Sequence, residues 1–175
     1  MPMREVLLYP DPRLKQVSEA VGSIDDLEIS RLIHDLLDTL YDAPGCVGIA
    51  APQIGEMKRI IIIDASRNPK NPPNRGQMIL INPIIEDQSG ELLAREGCLS
   101  IPDLTANVRR PEHIKMVAFN EKGEEVRFET GGFEARVILH EYDHLDGVLF
   151  LDRVASLKTD VFRRKRYAPP SAKPT

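Results

Sequence analysis

The stretch VILHEYDHLDG, residues 137–147, carries two histidines four positions apart, with a glutamate directly after the first. Residues four apart lie on one face of an α-helix, so His140 and His144 can bind the same metal ion. Glu141 leaves the helix one step round and can act as a general base on a metal-bound water. Burying these three polar groups beside an apolar run without partners would be costly. The spacing therefore predicts a hydrolytic metal site rather than a helix with two packed histidines.

A catalytic metal site of this kind usually has three protein ligands and one open position, so a third ligand must come from elsewhere. Cysteine chemistry favours Cys98, in REGCLSIP, where a glycine and a Ser-Ile-Pro turn let the backbone approach an ion. Cys46, in PGCVGIAAPQ, remains the rival, and either thiol can also be a small buried apolar residue. Weaker ligand candidates follow the second histidine: Asp146, Asp152 and Asp160.

Composition excludes several classes of protein. The 175 residues are 42% hydrophobic and 29% charged, which is typical of a soluble domain with its own core. The net charge of −4 gives no support to specific DNA binding, which expects a basic face. No run approaches the roughly 18 apolar residues of a membrane span. The start of the chain lacks a signal-peptide pattern and there are two cysteines, so we expect a cytoplasmic protein with free thiols.

Periodicity predicts the elements that must position the candidate ligands. An i, i+3, i+4, i+7 apolar pattern predicts a helix over 25–43, which Pro44-Gly45 ends. A second, largely buried helix is predicted over 132–147, and a third over 152–166, where it ends in RRKR. Five short strands are predicted over 59–64, 78–85, 91–97, 114–120 and 124–129, with a hairpin at EKGE between the last two.

The remaining segments are predicted to be irregular. Prolines make residues 1–22 a turn-rich arm, and residues 66–77 read as an exposed, mobile loop. Asn82-Pro83 indicates a strand end or a sheet edge. We see no domain boundary, so residues 1–165 are expected to form a single catalytic domain, and residues 166–175 a disordered tail.

Three segments in order resemble the signature segments of the peptide deformylases: VGIAAPQIG (47–55), EGCLSIP (96–102) and HEYDHLDG (140–147). Their order and spacing match as well, and the likeness runs from about residue 4 to about residue 165. The resemblance implies Cys98, His140 and His144 as the metal ligands and Glu141 as the catalytic acid and base. It also implies an α+β fold, in which short antiparallel sheets surround a central helix with the metal motif, plus an N-terminal and a C-terminal helix.

The resemblance implies further site residues. Gln53 and the backbone N–H of Leu99 are expected to bind the formyl oxygen. Gly48, Ile49 and Gly97 are expected to bind substrate, with a pocket for the methionine side chain beside GIAAP. One position departs from the family pattern, because a cysteine at residue 46 stands where the first glycine of the first segment is usual.

The function implied is removal of the N-formyl group from the formylmethionine of newly made peptides, with release of formate. The resemblance favours one ferrous ion, and zinc, nickel or cobalt suit the same ligands. Nascent formylmethionyl peptides are the expected partners. The basic run at 163–166 could contact the ribosome, although cations at a helix C-terminus also complement the helix dipole. Two alternatives stay open: a zinc endopeptidase, which typically takes a further His or Glu ligand downstream, and a non-catalytic metal-binding module associated with the ribosome.

Overall fold

A computed structural model describes residues 4–164, which form two α-helices and two antiparallel sheets. The helices are α1 (Leu27–Asp42) and α2 (Gly132–Leu145). The strands are β1 (Gly48–Ala50), β2 (Ile60–Asp64), β3 (Gln77–Ser89), β4 (Leu92–Cys98), β5 (Ile101–Arg110), β6 (His113–Phe119), β7 (Glu125–Gly131) and β8 (Val161–Arg163). Short 3₁₀ turns cover Pro12–Lys15, Ala51–Ile54, Ala65–Arg67 and Phe150–Arg153. Neither described helix has the length and apolar character needed to cross a membrane.

The larger sheet has the strand order β1-β2-β3-β6-β7 and is covered by a helix on each face. The four isoleucines of β2 are fully buried, because one helix covers each face of the strand. Alternate residues of a strand point to opposite faces. Ile60 and Ile62 accordingly pack in the cluster that contains the apolar side of α1, while Ile61 and Ile63 pack with α2. A strand buried on both faces needs such a continuous β-branched run.

The smaller sheet has the order β4-β5-β8 and packs over a third apolar cluster. Cys98 and Phe150 belong to that cluster, and the ring of Phe150 stacks on the imidazole of His140 with centroids 5.9 Å apart. One side of α2 therefore packs on the larger sheet, while polar residues on its other side reach the smaller sheet. This position explains why eleven residues of α2 are buried.

Most predicted elements are confirmed. The helices predicted over 25–43 and 132–147 are present with ends shifted by at most two residues, and the hairpin at EKGE joins β6 to β7. Strands β1, β5 and β8 were not predicted. It was also wrong to expect a strand end at Asn82-Pro83, because β3 continues through a register shift there. Asn82 adopts φ 51°, and its side chain bonds both backbone groups of Val21, which stabilises the irregularity.

The predicted C-terminal helix over 152–166 is wrong within the described residues. Only Phe150–Arg153 forms a helical turn, and the chain then turns between Ser156 and Asp160 before it enters β8. β8 pairs with the edge of β5, opposite residues 104–106. The edge of β5 supplies hydrogen bonds to the β-branched and aromatic residues of this segment, and that partner cannot be seen from local sequence. Residues 165–175, including the predicted disordered tail, lie outside the described part of the chain.

Gly147, which follows α2, is predicted to be required for stability. Its φ is 72°, and a Cβ built there would lie 2.6 Å from the carbonyl carbon of Lys15. Gly147→Ala should therefore lower the free energy of unfolding by about 2–4 kcal/mol, through left-handed strain plus a backbone clash. The matched control is Gly123→Ala, where φ is 80° but no atom lies within 4 Å. Urea unfolding of both variants checks this, and equal losses would contradict the clash.

Candidate metal centre and active site

Three ligand atoms converge between α2 and the smaller sheet. The donor atoms of Cys98, His140 and His144 all lie within 4.8 Å of one another, and all three residues are buried. The Sγ of Cys98 lies 3.3 Å from Nε2 of His144. Within residues 4–164 this is the one group of three or more His, Cys, Asp or Glu side chains with such spacing.

Local structure explains how the three donors meet. His140 and His144 are one helical turn apart on α2, as the spacing predicts. Cys98 ends β4, and its Cα partner across the ladder is Ile101 at the start of β5. Leu99 and Ser100 therefore form a tight turn between the two strands, and this turn presents the thiol towards α2.

The other candidate ligands lie outside the cluster. The Sγ of Cys46 bonds to the carbonyl of Gly48 at 3.2 Å. Burial, together with the charge of Glu141, raises the pKa of the Cys46 thiol to about 12, so it stays protonated. The three aspartates have other partners, since Asp146 pairs with an arginine and the other two accept backbone N–H groups: Asp152 from Leu149 and Asp160 from Ser156.

The donors suit a divalent cation. Burial, followed by the nearby charges of His140 and Arg110, lowers the pKa of His144 well below its usual value, so this imidazole is neutral, as a ligand must be. Burial alone would also lower the pKa of His140, but Glu141, Cys98 and Glu96 outweigh it and raise that pKa. The surroundings therefore favour positive charge at this point. The Nδ1 of His144 and the Oε1 of Glu141 are buried without a hydrogen-bond partner.

Glu96 holds His140 in place. Its Oε1 lies 2.8 Å from Nδ1 of His140, which leaves the other ring nitrogen for the cluster. Arg110 donates to both oxygens of Glu96, at 2.6 and 2.9 Å, and Arg136 donates to one of them at 2.6 Å. Burial raises the pKa of Glu96, but these hydrogen bonds from His140 and Arg110 prevail and bring it well below the usual range. A carboxylate behind a ligating imidazole fixes both its ring orientation and its tautomer.

The same network joins the smaller sheet to α2. Arg110 lies on β5 and is 3% exposed, and its third donor reaches Asp143 of α2 at 2.8 Å. Arg153 also donates to Asp143, at 2.8 Å. Each buried charge in this set therefore has an opposite charge in hydrogen-bond contact, as a buried ion requires.

Glu141 faces the cleft from α2. It is 5% exposed, and burial raises its pKa to about 7, with the opposing attraction of His140 a smaller effect. A Cβ at Gly48 would lie 2.9 Å from Oε2 of Glu141 and 2.9 Å from Cγ1 of Val137. Only glycine therefore allows β1 to pass this close to the carboxylate.

Gln53 is fixed so that its amide nitrogen faces the cluster. Its Oε1 accepts the N–H of Ala50 at 3.0 Å, and its Nε2 donates to Oγ of Ser100 at 3.1 Å. The same nitrogen lies 3.5 Å from the Sγ of Cys98. Leu99 follows Cys98 in the turn between β4 and β5. The side-chain amide of Gln53 and the backbone of Leu99 thus both lie next to Cys98.

A cleft of about 210 Å³ opens at the cluster. Gly48 and Gly97 both line it, as predicted, and so do Gln53, Leu99 and Glu141. The predicted substrate contact of Ile49 has no counterpart in the lining, because its side chain is fully buried in the core beneath α1. Its role in substrate binding stays a prediction. The apolar part of the lining includes Val47, Leu99, Phe133 and Val137.

The residues behind the candidate ligands were not predicted from the sequence. Glu96 carried a usable signal, because it lies two positions before Cys98 on one strand and so shares its face. Arg110 carried none, since an arginine at the end of a strand is usually exposed. Arg164, which also lines the cleft, was considered only as part of a basic run.

An α+β fold with a thiolate, two imidazoles and a buried carboxylate around one cleft is typical of a metal-dependent hydrolase. The family model described as polypeptide deformylase matches residues 3–160. A peptide deformylase of Thermodesulfovibrio yellowstonii is 39% identical over 165 residues, which is 94% of this chain and 97% of that protein.

Solved structures agree. A peptide deformylase from Legionella pneumophila superposes with a TM-score of 0.81 and 36% identity, over 90% of this chain and 89% of that one. A Met-Ala-Ser-bound class I type b peptide deformylase from Acinetobacter baumannii gives 0.82 and 34%, over 87% and 99%. The chain belongs to the polypeptide deformylase family.

We predict that the cluster requires Cys98 and not Cys46. Cys98→Ala should lower the bound metal to well under one ion per chain, because one of three ligands is lost. Cys46→Ala is the matched control and should keep the metal, since its thiol bonds only to a backbone carbonyl. Metal analysis of both proteins after gel filtration checks this. Loss of metal from the Cys46 variant alone would contradict the assignment.

Proposed function

We propose that this chain is a metal-dependent peptide deformylase, which hydrolyses the N-formyl group of formylmethionine on newly made peptides and releases formate. The observation that carries the proposal is the convergence of Cys98, His140 and His144 with Glu141 in one cleft, in a chain of this family. The endopeptidase and non-catalytic alternatives are not favoured. Family membership supports the deformylase, and Gln53, Cys98 and Glu141 together argue against a module that has lost its activity.

Cys98, His140 and His144 are the residues that would hold one divalent ion. When bound, the ion lowers the pKa of a water and polarises the formyl carbonyl. A thiolate and two imidazoles suit ferrous iron, zinc, nickel and cobalt. We propose ferrous iron as the native ion, from the resemblance to the family. Metal analysis of active protein purified without air tests this, and zinc as its sole metal would contradict iron.

Glu141 moves the protons of the reaction. It takes one proton from the attacking water, whose oxygen adds to the formyl carbon. The C–N bond then breaks, and Glu141 delivers the proton to the departing nitrogen, so the products are formate and a free amino terminus. A buried carboxylate that faces the cleft from α2 is placed for both transfers.

Gln53 and Leu99 stabilise the charge that develops on the formyl oxygen. The amide nitrogen of Gln53 is already held in place by the bond from Ala50 to its carbonyl oxygen. The backbone N–H of Leu99 is the second donor, in the turn after Cys98. Removing one preorganised donor of this kind costs about 2.7–4 kcal/mol of transition-state stabilisation in other hydrolases.

The substrate backbone is proposed to run between Gly48 and Gly97. β1 is at the end of the larger sheet, so one of its edges has no strand partner among the described residues. Extended peptides commonly bind by adding a strand to such an edge. Leu99, Phe133 and Val137 then form an apolar surface for the methionine side chain.

The expected compartment is the cytoplasm, where newly made peptides carry the formyl group. A ribosomal contact at residues 163–166 would now rest on a short strand and the residues after it, since no helix forms over residues 154–164. Co-sedimentation of the chain with ribosomes tests this contact, and no binding at low salt would exclude it.

Glu141→Gln should keep about one metal ion per chain while kcat on a formyl-methionyl peptide falls by a factor on the order of 10² or more. The reason is that the amide retains the side chain's size but cannot accept the water's proton. Glu121→Gln, in an exposed turn, is the control and should match the wild type. Metal content and formate release are measured on the same preparations. A Glu141 variant with near wild-type kcat, or one without metal, would contradict this role.

A further inference from the structure

Arg164 lines the cleft beside Gly97. The chain continues the β8 pairing by one residue, because the N–H of Arg164 donates to the carbonyl of Asp103 at 2.8 Å. A Cβ built on Gly97 would lie 3.4 Å from Cζ and Nη1 of Arg164 and 3.5 Å from Nη2. These near-equal distances mean that the guanidinium faces Gly97 broadside, next to the ligand Cys98.

A second arginine lies on the same side of the cleft. The guanidinium of Arg95 lies 3.8 Å from the ring centroid of Phe162, and its Nε donates to Asn107 at 3.2 Å. Phe162 and Arg164 are two apart along an extended segment, so they share one face. β8 therefore orients both cations, Arg164 directly and Arg95 through its ring contact, and both line the cleft.

Between residues 4 and 164, no carboxylate makes an ion pair with either arginine. The acidic residues in the lining are Glu96 and Glu141, and both are buried. Glu96 already pairs with Arg110 and Arg136. Within residues 4–164, Arg164 makes no side-chain hydrogen bond or ion pair. Unpaired guanidinium groups beside a peptide-binding cleft are suited to carboxylates, which they can bind with two parallel hydrogen bonds.

We propose that Arg164, with Arg95 beside it, binds a substrate carboxylate downstream of formylmethionine, so that the enzyme prefers peptides with an acidic residue at the second or third position. The inference rests on the proposed function. The formyl carbon must lie at Cys98 and Glu141, while Arg164 covers the neighbouring Gly97. Each extended residue spans about 3.3–3.6 Å, so an arginine side chain over Gly97 can reach the first residues that follow formylmethionine.

The test compares kcat/KM for formyl-Met-Ala-Glu-amide with kcat/KM for formyl-Met-Ala-Gln-amide, which differ at the third position. A second pair, formyl-Met-Glu-Ala-amide and formyl-Met-Gln-Ala-amide, makes the same comparison at the second position. At low salt, the wild type should favour the better-placed Glu peptide by about three- to tenfold over its Gln counterpart, the range of a partly exposed charge-assisted pair. Added salt should reduce the ratio, because exposed charges are screened. Formyl-Met-Ala-Ser as the free acid and as the amide shows whether a terminal carboxylate is bound in the same way.

Variants assign the preference to Arg164. Arg164→Gln should reduce the Glu-to-Gln ratio of kcat/KM to about one, and Arg164→Lys should keep part of the preference. Arg164→Glu should instead favour a peptide with Lys at the same position over the Glu peptide. Arg163→Gln is the matched control, since Arg163 precedes it on the strand and does not line the cleft, so the ratio should be unchanged.

A wild-type ratio near one at both positions would overturn the inference, as would a ratio that survives Arg164→Gln or that Arg163→Gln reduces equally. Preference for the terminal carboxylate alone would also overturn it, because a nascent peptide has no such group there. Failure of the proposed function looks different, since no formyl peptide would then release formate.

Discussion

The contact between Glu96 and His140 is the interaction on which the site depends. It brings a residue of the smaller sheet and a residue of α2 within 2.8 Å, and it leaves the far nitrogen of the imidazole for a metal. Glu96 is buried, and a buried carboxylate is tolerated only when it is paired. Arg110 and Arg136 supply that pairing with three hydrogen bonds at 2.6–2.9 Å. The ligand is thus oriented by a set of charges that the fold must keep together.

This constraint also explains the architecture around the cleft. α2 is held on one side by isoleucines of the larger sheet and on the other by the charges that reach β4 and β5. Cys98 lies on the same strand as Glu96, two residues later, so the strand that orients His140 also supplies the third candidate ligand. Replacing a buried ion set with apolar residues is often neutral or stabilising in proteins. Its presence here is therefore better explained by positioning of the ligands than by stability.

The sequence predicted those features that depend on the spacing of residues within one element. The period of the apolar residues predicted α1, and the spacing of His140 and His144 predicted two ligands on one helix face. The choice of Cys98 over Cys46 stayed open on chemistry alone and needed the resemblance to the family. β8 was missed because its hydrogen-bond partner, β5, is distant in sequence. β5 was missed because Pro102 and Asp103, near its start, are residue types that are uncommon in strands. The hydrogen bonds of Arg110, and the role proposed for Arg164, depend on residues that are distant in sequence.

The affinity of the site for metal in Glu96→Gln tests the account most directly. Cobalt or zinc is titrated against a competing chelator, with circular dichroism to confirm the fold, and Glu96→Asp serves as a second variant that keeps the charge but withdraws it from His140. The account predicts that the dissociation constant rises by about 10- to 100-fold in the folded variants, the usual effect of losing a partner behind a metal ligand. A folded Glu96 variant with the wild-type dissociation constant would contradict it.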